Sequence, residues 1–371
     1  EWLFTENDSN LKALFDQENK AAYLKDAFHE YVINGDKEAV NPAMEGTKAA
    51  AWMKVTVPAG ATHEVRCRLI AAEDDHGQRF GDFSEVIAAR ESEEADFYDS
   101  MLPKGLSVEE SRVAIQGYAG LLWSKQFYYY IVKYWLEGDN GIDNATPARV
   151  EGRNKDWRHM FARDVLSMPD KWEYPWFASW DSAFHMVAFA RLDPDFAKKQ
   201  LLLFLREWYL HPNGQIPAYE WSFSDVNPPV HAWAIWQLHQ SLERNGIEDL
   251  EWLEKAVQKL SLNFTWWVNR KDVDGNHLFS GGFLGLDNIG VFDRSQELGD
   301  GAHILQADGT AWMGGFCSQM LEMCLKLAET RPAYEDMASK YFEHFVRIAR
   351  AMNEQSGRGL WCEEDGFYYD H

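Results

Sequence analysis

From Pro103 to about residue 354 the chain reads as one helix after another: seven long segments with helical apolar spacing and no strand-like stretch between them. They lie near 107–136, 179–191, 193–208, 229–245, 250–270, 310–329 and 332–354. Two starts are written in side chains. Ser107-Val108-Glu109-Glu110 is a capping box, in which Ser at the N-cap and Glu three residues on satisfy each other's backbone donors. Asp193-Pro194 sets a favoured N-cap before a proline at the first helical position. The first helix is expected to run to about Leu136, because Trp123, Phe127, Tyr130 and Tyr134 recur at helical spacing. Consecutive helices joined by loops of Gly, Pro, Asn and Asp form either a closed toroid of helical hairpins or an open solenoid. No fixed-period self-similarity is present, which disfavours a repeat array.

The first hundred residues read as β. Trp52 to Val57 has strand composition, Pro58-Ala59-Gly60-Ala61 makes a turn, and Val65, Cys67 and Leu69 then alternate with Glu64, Arg66 and Arg68. The expectation is a hairpin with one wet face, the remnant of a β-sandwich. The domain division expected is therefore a β-rich segment with its linker over 1–100 and a helical domain over 101–371.

Composition narrows the function. With 36 Lys and Arg against 59 Asp and Glu, the net charge is −23. Nucleic acid and anionic membrane surfaces both call for clustered cations, so neither is an expected partner. An apolar content of 46%, with 15% aromatic, excludes disorder. The run Leu201 to Leu205 is soon broken by Arg206 and Glu207, so no stretch reaches the roughly 18–20 apolar residues of a membrane helix. Cys67, Cys317, Cys324 and Cys362 are scattered, with neither disulfide nor zinc spacing. That usage suits a reducing compartment, and a cytoplasmic location is expected. The chain begins at Glu1 and stops in the aromatic stretch Phe367-Tyr368-Tyr369-Asp370-His371, so a piece of a larger protein is expected.

Four segments carry chemistry. In Trp172 to His185, Asp181 sits between Trp176, Trp180 and an apolar helix. A carboxyl in such a niche keeps its proton and serves as a general acid; the bland alternative is that Asp181 caps the helix. In His211 to Trp221, Asn213-Gly214 is a turn signal, Gln215 follows it, and Glu220 lies between Tyr219 and Trp221. In Gly281 to Gly290, glycines allow close backbone approach and Asp287-Asn288 pairs an acceptor with a donor. In Gln306-Ala307-Asp308-Gly309, Asp308 is either a site carboxylate or an N-cap. Acids beside aromatic rings at successive helix starts suit a sugar, which stacks by its apolar face and binds by its hydroxyls.

Other chemistries lack their residues. HExxH, GxSxG, phosphate-binding glycine loops and metal-spaced His pairs are all absent. His29, His159, His185, His211, His231 and His239 read as core or loop polar residues. In Asp272-Val273-Asp274-Gly275-Asn276 the glycine comes too early for an EF-hand. Neither metal nor cofactor is expected.

Taken together, Trp180 to His185, Asn213 to Pro217, Gly285 to Asn288 and Gln306 to Gly309 resemble glycoside hydrolase family 63, over about residue 105 to the end. That family includes processing α-glucosidase I and mannosylglycerate hydrolases. The resemblance implies a mainly α fold, an (α/α)6-type helical toroid that is incomplete in this chain, and an inverting mechanism on a carbohydrate. It makes Asp181 the general acid and places Trp176, Trp180, Gly214, Gln215, Asp287 and Asp308 around the non-reducing sugar, with Tyr219, Asn288 and Gln306 beside them. The family's general base is a Glu further along, expected beyond His371; within the chain Glu220 is the candidate, ahead of Glu363 and Glu364. Two alternatives stay open: a non-catalytic carbohydrate-binding or scaffolding protein on the same toroid, and a lyase or terpenoid enzyme. A lyase's anionic substrate would be repelled by the −23 charge, and the acidic metal motif of terpenoid chemistry is absent.

Overall fold

The computed structural model describes residues 1–74, 77, 80–139, 145–152, 154–168, 170–172, 176–219, 226–272, 274–280, 299, 304–353 and 359–371. The chain divides into two compact units, Glu1–Ala89 and Arg90–His371.

In the first unit β1 (Trp2–Thr5) pairs antiparallel with β2 (Lys48–Ala51), in the register Trp2↔Ala51 to Thr5↔Lys48. Between them lie α1 (Leu11–Phe15), whose first turn donates Ala13 N–H to the Asn10 side chain, and α2 (Ala27–His29), which continues as a π-helical turn to Asn34. Leu3, Tyr31 and Val40 form a small core, closed by the edge of Trp52 against Tyr31 at 5.7 Å. The expected hairpin over 52–69 is not formed: residues 53–70 carry no strand, and Val55, Val57, Val65 and Leu69 are exposed. Alternation supplies an apolar face, but two strands hold together only when something covers that face. The β reading also ends early, because α3 (Phe83–Met101) is helical.

In the second unit α4 (Val108–Trp123) opens with the capping box. Glu110 N–H donates to Ser107 Oγ at 3.3 Å, and Ser107 N–H to Glu110 Oε2 at 2.8 Å. The helix stops at Trp123, well short of Leu136. Lys125–Ile131 is instead a strand, β3, antiparallel to β4 (Phe161–Ser167), with Phe127 opposite Val165. Helical and period-two spacing compete over Phe127-Tyr128-Tyr129-Tyr130, and the β preference of aromatic rings decides it. Tyr128 and Tyr130 pack on a core of Leu136, Trp157, Phe177, Phe204 and Tyr209, while Phe127 and Tyr129 face outward. Two short helices, α5 (Val132–Glu137) and α6 (Pro147–Val150), link the strands.

Six helices follow among the described residues: α7 (Ser179–Phe189), α8 (Pro194–Leu203), α9 (Val230–Arg244), α10 (Leu250–Arg270), α11 (Ala307–Ala328) and α12 (Tyr334–Asn353). As the Asp193-Pro194 pair dictates, Asp193 caps α8 by accepting Phe196 N–H at 2.9 Å. Neighbours pair as α7–α8, α9–α10 and α11–α12, and α7, α9 and α11 also pack side by side. Burial separates the layers. On α9 and α11 buried side chains go most of the way round, whereas α12 buries only Ala338, Tyr341, Ile348 and Ala351, one stripe of a helix otherwise rich in Glu, Lys and Arg. The fold is thus mainly α, with the inner and outer layering of an (α/α) toroid. These helices share an apolar core that includes Phe264, Phe316, Met320 and Leu327, each such side chain worth roughly 1.5–3 kcal/mol on burial. The connections are unequal. Those at 190–193, 245–249 and 329–333 are tight, and those at 204–229 and 271–306 are long. A last antiparallel pair, β5 (Trp361–Cys362) and β6 (Phe367–Tyr368), returns to α11, where Asp370 accepts Ala307 N–H at 2.9 Å. Among the described residues no helix is long and apolar enough to cross a membrane.

Candidate active site

The N-terminal turns of α7, α9 and α11 meet. Phe184 is the hub: its ring centroid lies 6.1 Å from Trp180, 5.3 Å from Trp233 and 6.5 Å from Trp312, which stand in the first two turns of those helices. None of the four rings is fully buried, so they form an apolar surface with open faces rather than core. The stretches that precede the three helices are stitched to the same end. Ala178 bridges to Tyr219, Ser179 N–H donates to the Ala218 carbonyl at 3.1 Å, and Ser179 Oγ donates to Asn227 Oδ1 at 3.1 Å. At α11, Gln306 N–H donates to the Phe279 carbonyl and Phe279 N–H to Thr310 Oγ1.

Asp181 occupies the third position of α7. It is not the cap: Ala178 holds that place and supplies no side-chain bond. A first-turn carboxylate is ordinarily favoured by the helix dipole and by backbone N–H groups. Here desolvation outweighs them, and burial holds the Asp181 carboxyl above the usual range despite an opposing bond from its own backbone. The side chain lines a cleft of about 490 Å³, shared with Phe184 and His185 of α7 and with Gly117, Gly120 and Leu121 of α4. At both glycines a Cβ would meet open space, so α4 presents bare backbone to the cleft.

The other expected site residues fall into three groups. Trp180, Tyr219 and Asp308 stand at the meeting helix ends, and Trp176, half-buried, precedes them. Asp308, like Asp181, is no cap. Gln306 holds the N-cap position of α11 without a side-chain capping bond, and Asp308 Oδ1 accepts Gly309 N–H at 2.7 Å. Gly214 and Gln215 are both buried, Gly214 against α10, where Asn263 Nδ2 donates to its carbonyl at 2.9 Å. Glu220, Asp287 and Asn288 lie outside the described residues. Glu363 and Glu364 are exposed at the turn of β5 and β6. The structure adds the glycine wall of α4, which sequence reading passed over, and places His185, read as a core or loop polar residue, one turn beyond Asp181 at the border of the same cleft. The i, i+4 spacing of Asp181 and His185 was the available signal.

No group of three or more His, Cys, Asp or Glu suited to a metal occurs among the described residues. Asp272, in the calcium-like stretch, turns inward to accept Asn276 and His277 N–H at 2.9 and 2.8 Å. A desolvated carboxyl beside half-exposed aromatic rings is equipped to give a proton to a polar atom of a ligand that stacks.

Comparison with known proteins names the class. Residues 174–370, just over half of the chain, match the mannosylglycerate hydrolase MGH1-like glycoside hydrolase domain, and the chain belongs to that family. It is 48% identical over 394 residues to the uncharacterized protein YMR196W of Saccharomyces cerevisiae, an alignment that takes in 99% of this chain and 36% of the yeast protein. The chain thus spans about a third of that relative's length. Among solved structures, the GH63 mannosylglycerate hydrolase of Thermus thermophilus in complex with Tris aligns with a TM-score of 0.42 and 17% identity, over 56% of this chain and 64% of that one. An uncharacterized conserved protein of the same organism aligns with 0.43 and 17%, over 55% and 61%.

Proposed function

We propose that the protein is an inverting glycoside hydrolase acting on α-linked glucosides or related glycosides such as mannosylglycerate, with Asp181 as general acid. The observation that carries this is the Asp181 carboxyl, whose hold on its proton is strengthened by burial in a cleft beside half-exposed aromatic rings. It lies within the segment that matches a glycoside hydrolase domain. A sugar seated on Phe184 and the neighbouring indoles puts its glycosidic oxygen toward Asp181, which donates its proton as the C–O bond breaks. In an inverting enzyme the second carboxylate stands about 6.5–9.5 Å away and takes a proton from water attacking the opposite face. Glu220 is the candidate for that base within the 371 residues.

The test follows product anomers by NMR while the protein is offered α-glucosides, mannosylglycerate and glucosylglycerate. Release of the β-anomer first from an α-linked substrate is expected. Asp181→Asn is expected to lower kcat by roughly 10²–10⁴-fold, the usual share of general acid catalysis, with KM little changed. Glu220→Gln should fall comparably. Turnover of Asp181→Asn at the wild-type rate overturns the assignment, and binding without any product in the wild type leaves a carbohydrate-binding protein instead.

A further inference from the structure

The two helices that line the Asp181 cleft contribute unlike chemistry. From α7 come the acid and the open Phe184 ring; from α4 come Gly117, Gly120 and Leu121, bare backbone and one apolar side chain, with neither a ring nor a polar group. Gly117 and Gly120 stand well inside α4 at i and i+3, and so on one face. Glycine is the weakest helix former after proline, and a helix usually keeps one for a left-handed backbone or for a neighbour pressed against it. Neither reason holds here. Neither residue has a left-handed φ, and a Cβ at either would meet nothing within 4 Å among the described residues. Gly214 and Gly314 show the contrast: the Leu262 carbonyl crowds the first, and Ile348 lies 3.7 Å from the second. Gly315 of α11 is as open as the α4 pair but does not line this cleft, so an open glycine alone marks nothing. What sets Gly117 and Gly120 apart is the space beside them, about 490 Å³ with Asp181 in its lining. That volume falls within the roughly 300–1,000 Å³ of small-molecule sites.

We propose that Gly117, Gly120 and Leu121 are the specificity-determining wall for the leaving group, keeping room for a second sugar ring beyond the glycosidic oxygen. The proposal rests on the glycoside hydrolase reading of the cleft and adds to it the substrate class, a glycoside whose leaving group is itself a sugar. The ring to be cleaved stacks on Phe184, one turn from Asp181, so α7 meets both its face and its glycosidic oxygen. As the C–O bond breaks, the Asp181 proton passes to that oxygen, which departs as a hydroxyl of the leaving group, and water supplies the new oxygen at the anomeric carbon. The departing group then lies against the remaining wall, that of α4. A wall without side-chain donors, acceptors or rings binds no particular hydroxyl and selects by room alone. A side chain at either glycine takes that room.

The test offers the protein a series that shares one sugar and differs in its leaving group. The members are α-glucosyl fluoride, glucosylglycerate and an α-linked glucose disaccharide, with the mannose series alongside. Kinetics are read together with calorimetric binding of the free sugar and of the disaccharide. Wild type is expected to accept all three members of one series. Gly117→Leu and Gly120→Leu should lower kcat/KM for the disaccharide by roughly tenfold or more and leave the fluoride within about twofold, since crowding acts only where the second ring lies. Free-sugar affinity should hold in both variants while disaccharide affinity falls. Both should melt no lower than wild type, because leucine favours a helix over glycine. Gly117→Ala and Gly120→Ala, which add the least bulk, should keep the same order with smaller losses. Gly315→Leu on α11 is the control and should leave the whole series unchanged; a loss there equal to that of the α4 variants overturns the proposal. Equal losses on fluoride and disaccharide, or disaccharide turnover and binding untouched in both α4 leucine variants, also overturn it and leave the Asp181 assignment standing. A disaccharide that binds without turnover, and binds more weakly in those variants, keeps the wall and refutes hydrolysis. If wild type neither cleaves nor binds any member, the carbohydrate reading of the cleft fails and takes this proposal with it.

Discussion

Replacing Gly214 by alanine separates a packing role from a ligand-binding one. Gly214 has φ +94°, and a Cβ built on it would stand 2.6 Å from the Leu262 carbonyl oxygen and 3.3 Å from Trp266 Cβ. Left-handed backbone costs an L-residue roughly 1–2 kcal/mol. Forcing a methyl group against a helix backbone adds about 1–3 kcal/mol, since α10 cannot yield as a flexible side chain would. Restricting the unfolded chain returns roughly 0.4–1 kcal/mol. The net expectation is a loss of about 2–4 kcal/mol. For a unit of this size each kcal/mol moves the melting temperature by about 2–4 °C, so Gly214→Ala should melt roughly 5–15 °C lower. Asn263→Ala removes the donor to the Gly214 carbonyl and should cost about 1–3 kcal/mol by orphaning that buried acceptor. Calorimetry and urea unfolding read both variants, with sugar titration in parallel. A Gly214→Ala protein that melts like wild type yet binds sugar poorly would refute the packing account and return Gly214 to the ligand.

Two further expectations concern ionisation. Because burial raises the folded-state pKa of Asp181 above the unfolded value of about 3.9, its contribution to stability is complete below that value and is lost as pH rises through the folded one. Asp181→Asn should therefore outlast wild type in urea at pH 8 and match it near pH 3; a variant less stable than wild type at pH 8 contradicts the buried-carboxyl assignment. Cys317 and Cys324 are wholly buried on α11, and burial pushes both thiols up to about 12. A thiol reagent at pH 8 should modify exposed Cys67 at once and reach these two only after unfolding; four thiols titrating at once in the native protein would show that α11 is not packed as described.

Local chemistry was legible wherever it had no rival. Ser107 with Glu110, and Asp193 with Pro194, open their helices as written, and the apolar stripe of α10 gives Leu250–Arg270 residue for residue. Reading failed where two periods fit the same letters, as in 125–131, where strand pairing with 161–167 is information from 36 residues away. It failed again at 52–69, where alternation describes a face but not what would cover it. In the candidate site, Asp181 and Asp308 stand at helix starts as expected, but the capping alternative fell because Ala178 and Gln306 hold the N-cap positions. Gly214 shows the limit of a motif: its backbone requirement was visible, but the Leu262 carbonyl of α10 that enforces it was not. His185 was read as a core or loop polar residue, because a lone histidine in an apolar helix is usually core; it is indeed buried, and it also borders the Asp181 cleft.

The unequal connections divide the labour of the two rims. At one rim 190–193, 245–249 and 329–333 do little more than turn the chain, and a change there strains helix pairing directly. At the other, the described ends of 204–229 and 271–306 meet the helix beginnings through a few hydrogen bonds, such as Ser179 N–H to the Ala218 carbonyl and Gln306 N–H to the Phe279 carbonyl. Changes to those connections are tolerated only away from Phe204, Leu205, Tyr209, Val226 and Phe279, which they contribute to the buried cores. The two kinds of connection thus tolerate change differently, the tight ones through helix pairing and the long ones through the few buried side chains they lend to the core.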